Sequence, residues 1–349
     1  MKIKTKNKNK KTRFQPGLYR SMTTYFIKNT LAGKKRFPLV LMLEPTHRCN
    51  LACMGCDRIR TAADGDLTVR RCLDAAEECG APVVAVTGGE PMLYRDLKPL
   101  VSGLLGQGRY IYLCTNGILA REFIESFDPD PRLTLNFHLD GLASTHDRIT
   151  GLAGSFEKSV ESIRLARSRG FRISTNTTVY KASDIGELDG LFSMLTSIGV
   201  DGILISPAFA YQSVDEKEKI FFSRGEINEK FNRLASLENY PLINTPIYMD
   251  FLRGKRDLLC TPWGNPTFNP LGWKSPCYLV TDRYFDTYAR MMEGTDWSVY
   301  ELGTDPRCSN CMVHGGYETT VMRLAFTNPR DMLKLALWNM TKKKNNNKH

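Results

Sequence analysis

A chain of 349 residues, 42% of them hydrophobic, is long enough to bury one large core and a small appended module. Its net charge of +11 would suit a nucleic-acid partner, but residues 1–13 hold seven basic side chains and no acid, and the last nine residues hold four more. The middle of the chain is therefore close to neutral, which argues against a nucleic-acid-binding body. What remains is two basic tails, either solvated or drawn to an anionic membrane surface or RNA.

No apolar stretch follows the basic start, which argues against a secretory signal. The longest clean apolar run, 38–43, falls far short of the ~20 residues that a spanning helix needs. The expected location is the cytoplasm, with peripheral attachment to a membrane as the one elaboration the tails allow. Ten cysteines in that compartment stay reduced, so clustered thiols there read as metal ligands.

After the first tail, residues 19–31 predict an amphipathic helix with Tyr19, Met22, Phe26 and Thr30 on one stripe. From there short apolar runs alternate with helix-period segments. Strands are predicted at 38–43, 82–86, 110–113, 133–137, 172–175 and 202–205. Helices are predicted at 67–79, 97–105, 121–127, 156–168 and 185–198, with glycine stops at Gly80, Gly106, Gly170 and Gly199. Six βα units predict a parallel sheet rolled into a partial (β/α)6 barrel, with a doubly wound open sheet as the structural alternative. The barrel is favoured because every strand end is polar or reactive, and in such barrels chemistry collects on the rim at the strands' C-terminal ends. Further on, 218–236 predicts another helix, 250–325 shows no clear period, and 331–338 predicts a last helix. The expected division is a tail and helix (1–34), the barrel (35–240), a cysteine-rich module (241–328), and a terminal helix with its tail (329–349).

The first strand runs into Cys49-Asn50-Leu51-Ala52-Cys53-Met54-Gly55-Cys56, a C-x3-C-x2-C loop. Three thiolates this close can wrap three corners of a cubane and leave its fourth iron open. Zinc is the competing metal, but structural zinc wants four closed ligands. After the second strand stands Thr87-Gly88-Gly89-Glu90-Pro91, which alone would be an ordinary turn.

The two strings together resemble the signature of the radical S-adenosylmethionine (SAM) superfamily. That resemblance implies a [4Fe–4S] cluster on Cys49, Cys53 and Cys56, with Gly88, Gly89 and Glu90 holding the ammonium of SAM. It also implies reductive cleavage of SAM to a 5′-deoxyadenosyl radical, fed by a flavodoxin- or ferredoxin-type electron donor. Asn116, His138 and Asn176, at the ends of later strands, are the further candidates for contacting SAM. In the last third, Cys260, Cys277, Cys308 and Cys311 resemble the opening of the auxiliary-cluster modules of some radical SAM enzymes. Four thiolates there suit a second [4Fe–4S] cluster or zinc, and a cysteine-rich fold with free thiols is the third reading. Cys72 and Cys79, seven apart on one helix face, read as core packing.

Strings outside the shared core, among them 112–116 (YLCTN), 260–266 (CTPWGNP), 272–279 (GWKSPCYL) and 311–318 (CMVHGGYE), resemble the adenosyl-hopene transferases of hopanoid biosynthesis. That family has Leu-Phe where Thr46-His47 stand, and a further cysteine where Gly315 stands. The resemblance implies addition of the adenosyl radical to the terminal alkene of a hydrophobic triterpene, with a rim thiol returning a hydrogen atom to the resulting carbon radical. Cys114 is the candidate donor, a small buried hydrophobe being its other reading. Trp263, Phe268, Trp273, Tyr278 and Tyr317 would then wall an apolar cavity, or else form a local core. The 19–31 helix and the tails would dock the protein on a membrane. A radical SAM enzyme acting on another lipid alkene or on a peptide is the alternative.

Overall fold

The computed structural model describes residues 15–56, 65–211, 213–214, 217–301 and 303–340, so both basic tails lie outside the described residues. Six parallel strands appear where the sequence places them: β1 (Val40–Leu43), β2 (Val83–Val86), β3 (Tyr110–Thr115), β4 (Leu133–His138), β5 (Arg172–Val179) and β6 (Gly202–Pro207). They lie side by side in chain order, and β1 also pairs in parallel with β7 (Thr267–Asn269). Antiparallel β8 (Gly272–Pro276) and β9 (Thr281–Phe285) extend the same sheet to nine strands. The C-terminal strands thus continue the barrel's sheet instead of forming a separate layer, and β6 does not pair back to β1.

Register explains how the sheet divides its two faces. Leu43, Val86, Leu113, Leu135 and Ile173 are successive partners across β1 to β5, and all are buried in the main core. They form the outer face, under the helices that follow each strand, among them Val69–Cys79, Leu97–Gly106, Ser155–Ser168 and Ile185–Ile198. The intervening residues point into the lumen, where Cys114 partners Asn136 and His138 partners Asn176. Two-residue alternation therefore puts the hydrophobic row outside and the reactive row inside.

Local signals set the helix ends. Thr68 accepts from the Arg71 N–H and Asp184 from the Glu187 N–H as N-caps, while Gly80 and Gly199 close their helices in the left-handed conformation. Gly106 does not play that part: it is the last helical residue, and the turn falls at Gly108. The helix predicted over 218–236 breaks into Lys217–Ile220, Arg224–Arg233 and a 3-10 turn at Leu234–Asn239. A new start at Ser223, whose side chain and Glu226 form a capping box, causes the break.

The largest departure is helix His314–Thr327, in a stretch whose sequence shows no clear period. It lies between the end of β6 and the start of β1. Its first N–H donates to Ser206 Oγ (3.5 Å), Thr319 donates to Asn265 (2.7 Å), and Phe326 stacks on Phe26 with ring centroids 4.0 Å apart. This helix closes the gap that the strands leave.

The N-terminal helix, Pro16–Leu31, packs against this seam instead of standing free. Phe26 is buried against Phe37 and Phe326, and Met22 reaches the lumen, whereas Tyr19 is 45% exposed. The predicted stripe is therefore displaced, with Leu18 and Asn29 buried in place of Tyr19 and Thr30. Replacing Phe26 by alanine should cost about 3 kcal/mol, the usual loss for a buried phenylalanine. Denaturant unfolding checks this, and an unchanged midpoint would show that the helix does not brace the seam.

Candidate functional site

The ends of β1 and β2 meet through their backbones. Beyond the strands the pairing continues: Thr87 N–H donates to Leu43 O (2.8 Å), Gly89 N–H to Thr46 O (3.0 Å) and Glu90 N–H to Arg48 O (2.8 Å). A Cβ on Gly88 would stand 2.3 Å from Thr46 O, and one on Gly89 would stand 2.1 Å from Arg48 O. Gly88 also holds φ +117°, a conformation that L side chains rarely adopt. Only glycines let the second strand end lie directly against the start of the cysteine loop.

Three further contacts set the loop. Met54 N–H donates to Ile149 O (2.9 Å), Cys56 N–H to Cys53 O (3.1 Å), and Asn116 Nδ2 to Asn50 Oδ1 (2.8 Å). Asn116 is thus a support of the loop, its own Oδ1 being taken by the Ile118 N–H (3.0 Å). Glu90 is likewise committed. Its Oε1 accepts from the Thr115 hydroxyl (2.8 Å) and Met92 N–H (2.9 Å), and its Oε2 from Asn116 N–H (2.8 Å). At 1% exposure its side chain ties β2 to β3, so the glycine backbone is the better-placed group for an ammonium.

Cys49, Cys53 and Cys56 line one mouth of a central cavity of about 550 Å3, together with Gly88, Gly89, Cys114, His138 and Asn176. Burial raises the Cys49 and Cys53 thiols, and the neighbouring cysteines raise them further. Thiolates gathered this way call for a cation, which is the chemistry of a metal-cluster site. His138 Nε2–H donates to Asp140 Oδ2 at 2.7 Å. Burial disfavours charge on the imidazole, but the Asp140 carboxylate outweighs it and its pKa is raised. Asn176 Nδ2 faces His138 Nδ1 at 3.4 Å, while its buried Oδ1 has no partner. An open acceptor in the lumen fits a hydroxyl or ammonium of a bound nucleoside. Cys114 also lines the lumen, with Asn136 Nδ2 3.5 Å from its sulfur and its pKa pushed up by burial to about 11. It is a neutral thiol at pH 7.

The C-terminal cysteines share a second cavity, of about 300 Å3, lined by Cys260, Cys277, Cys308 and Cys311. Gly316 makes room there, since a Cβ on it would stand 2.4 Å from Cys260 Sγ. Val280 N–H donates to Cys277 Sγ (3.4 Å). Burial first, and mutual repulsion next, raise Cys260 well above the ordinary thiol value and Cys308 to about 12. Among the described residues no three His, Cys, Asp or Glu side chains converge on a single-ion position. Each cysteine set lines a shared cavity instead.

The aromatic wall is largely a core. Trp263, Trp273, Phe268 and Tyr317 are buried, with Phe268 and Trp273 centroids 4.9 Å apart, and only Tyr278 reaches the central cavity. Cys72 and Cys79 are buried on their helix as read. Among the lumen residues that escaped the sequence reading are His314 and Glu318. They lie one turn apart on the seam helix, whose existence had no periodic signal to reveal it.

Residues 43–195 match the family model of the Radical SAM superfamily. They are a radical SAM domain. Such a domain takes a [4Fe–4S] cluster and SAM, in keeping with the loop and glycine cradle described above. Residues 203–335 match a domain of unknown function, DUF3463. The chain is 30% identical over 169 residues to an AdoMet-dependent heme synthase of Methanosarcina barkeri, covering 46% of this chain and 48% of that protein. It is 27% identical to a PqqA peptide cyclase of Gluconobacter oxydans, covering 78% of this chain and 82% of that one. The chain therefore spans about half the length of the heme synthase that it matches. In fold, Streptococcus suis SuiB bound to S-adenosylmethionine superposes with TM-score 0.61 at 14% identity, covering 86% of this chain and 78% of that one. These relatives lend no support to the hopanoid resemblance.

Two outcomes test the site. Gly89→Ala should lower iron incorporation into the first loop, because the clash costs about 1–3 kcal/mol unless Arg48 moves. Iron content per chain, measured in a variant whose Cys260, Cys277, Cys308 and Cys311 are all alanine, reads this. An unchanged ratio would sink the cradle. Burial also holds fully buried His146 near pKa 4 instead of the ordinary 6.5. Its neutral form stabilises the fold fully above pH 6.5, and that contribution drains away as pH falls towards 4. The total is about 3 kcal/mol. His146→Asn should therefore flatten the acid side of the stability–pH curve. Parallel curves would contradict it.

Proposed function

We propose that this chain is a radical SAM enzyme that generates a 5′-deoxyadenosyl radical at the cysteine-loop mouth of the central cavity and delivers it to a substrate held in the lumen. One arrangement carries this reading: the cysteine loop, the glycine cradle, the open Asn176 acceptor and the Cys114 thiol line one cavity. A reduced cluster and SAM bound there would supply the chemistry, one-electron cleavage of the sulfonium C–S bond with release of methionine. Cys49, Cys53 and Cys56 hold three corners of the cluster, and the Gly88–Gly89 backbone and Asn176 orient SAM. Asn116 and Glu90 fix the loop against β2 and β3. His138, held by Asp140, lines the lumen between Cys114 and Asn176. Cys260, Cys277, Cys308 and Cys311, which line the second cavity, would hold a second [4Fe–4S] cluster.

Substrate class follows from the polarity of the lumen. Met22, Leu39, Val40, Val83, Ile243 and Met322 line its far end, so the substrate brings an apolar body. The names of the relatives favour a tetrapyrrole or peptide, and an apolar side chain of a peptide satisfies the same floor. Cys114 supports a second reading, adenosyl addition to a lipid alkene such as hopene. A neutral lumen thiol can give a hydrogen atom to a tertiary carbon radical, since its S–H bond is weaker than the C–H bond formed.

Anaerobically reduced protein should form 5′-deoxyadenosine from SAM, and Cys53→Ala should not. Turnover by that variant would overturn the cluster assignment. With hopene, the second reading expects a product equal in mass to hopene plus one adenosyl unit and one hydrogen. Cys114→Ala should lower the yield of that saturated product while SAM cleavage continues. Free 5′-deoxyadenosine alone would remove the transferase reading.

A further inference from the structure

The central cavity has an unusual charge pattern. Among the described residues that line it none is Lys or Arg, while three carboxylates, Glu44, Glu90 and Glu318, contribute to its wall. Two of these are engaged in the framework. Glu90 holds three donors from β3 and its own turn. Glu44 is 4% exposed, accepts from Asn269 (3.2 Å) and faces His47 (3.3 Å).

Glu318 is placed differently. It sits on the seam helix, one turn above Met322 and one turn below His314, between the polar rim and the apolar floor. Its carboxylate accepts from a single residue, Thr245: the N–H at 2.9 Å and the hydroxyl at 2.7 Å. A carboxylate offers about four lone-pair sites, so two remain for a ligand. Burial of this kind disfavours the anion, and its pKa is pushed up to about 7. Such a group gains most when a donor, above all a cation, arrives beside it. His314, half-buried and with burial lowering its pKa to about 4, adds a neutral imidazole whose buried Nδ1 has no partner among the described residues.

We propose that Glu318 is the substrate-recognition residue of the lumen, and that it binds a primary ammonium carried by the substrate on an apolar body. The apolar body fills the floor of Met22, Leu39, Val40, Ile243 and Met322, and the ammonium stops one helical turn higher, at Glu318. This rests on the lumen being the substrate site, as proposed above, and it narrows the substrate class to amphiphilic amines.

The test uses cluster-reconstituted protein with SAM and no reductant, titrated calorimetrically with decylamine, decanol and decanoate below their micellar concentrations. Decylamine should bind about tenfold or more tighter than decanol, with decanoate weakest. Glu318→Gln should bring decylamine down to the decanol value and leave decanol unchanged. Leu204→Phe, which narrows the lumen from β6, should weaken decylamine and decanol alike. Decanoate binding as tightly as decylamine would overturn the proposal. So would a retained amine preference in Glu318→Gln, decylamine binding untouched by Leu204→Phe, or no binding of decylamine. SAM cleavage by the wild-type protein is read separately. If 5′-deoxyadenosine fails to form while the amine preference holds, the radical reading falls and the recognition residue stands.

Discussion

The site depends on one close approach, the backbone of Gly88 and Gly89 lying against the carbonyls of Thr46 and Arg48. Parallel strands ordinarily diverge into their loops once the sheet ends. Here the pairing continues for three more hydrogen bonds, which carries the cysteine loop and the glycine turn into a single wall. Any Cβ at either glycine would stand within 2.3 Å of a carbonyl oxygen. Glu90 then fastens this wall to β3, and Asn116 fastens β3 back to the loop. Three strand ends are locked by contacts that involve few side chains, leaving the thiols and the glycine backbone free for cofactors.

From that wall inward, polarity falls along the lumen. Thiols, an imidazole and amides line the end where a charged nucleoside would sit, and aliphatic side chains line the other. Strand alternation produces the first part, because the same two-residue period that buries Leu113 and Leu135 outside turns Cys114 and Asn136 inside. The floor has another origin. Met22 comes from the N-terminal helix and Met322 from the seam helix, two elements some three hundred residues apart that meet through Phe26 and Phe326. A split barrel needs such a plug, since β6 and β1 do not pair with each other and the gap between them would otherwise open the lumen sideways.

Much of this was legible beforehand. All six barrel strands and five of the helices between them read correctly, because each strand is a short apolar run bounded by glycine or polar turns and these helices have an apolar period. The helix Ala143–Thr150, between β4 and β5, has no such stripe and escaped the reading. The cysteine loop and Gly88–Gly89 were legible because their spacing is local. What resisted was of two kinds. Helix His314–Thr327 contains two glycines and buries residues on several sides, with the lumen facing one and the core another, so no single apolar stripe marks it. The sequence pattern points to Glu90 and Asn116 as cofactor ligands, yet their side chains hold the framework. A polar residue beside a cavity looks the same in sequence whether it faces the ligand or the neighbouring strand.

By itself, then, the sequence determined the order of strands and helices, the three-thiol loop and the glycine turn beside it, since these rest on spacing within a dozen residues. Only the tertiary structure decided that the last third closes the barrel, that of the five aromatic residues expected as cavity walls only Tyr278 reaches the lumen, and that Glu318 faces it. Those outcomes depend on contacts between distant segments, and no local period encodes which side of a helix will meet a cavity formed by strands far earlier in the chain.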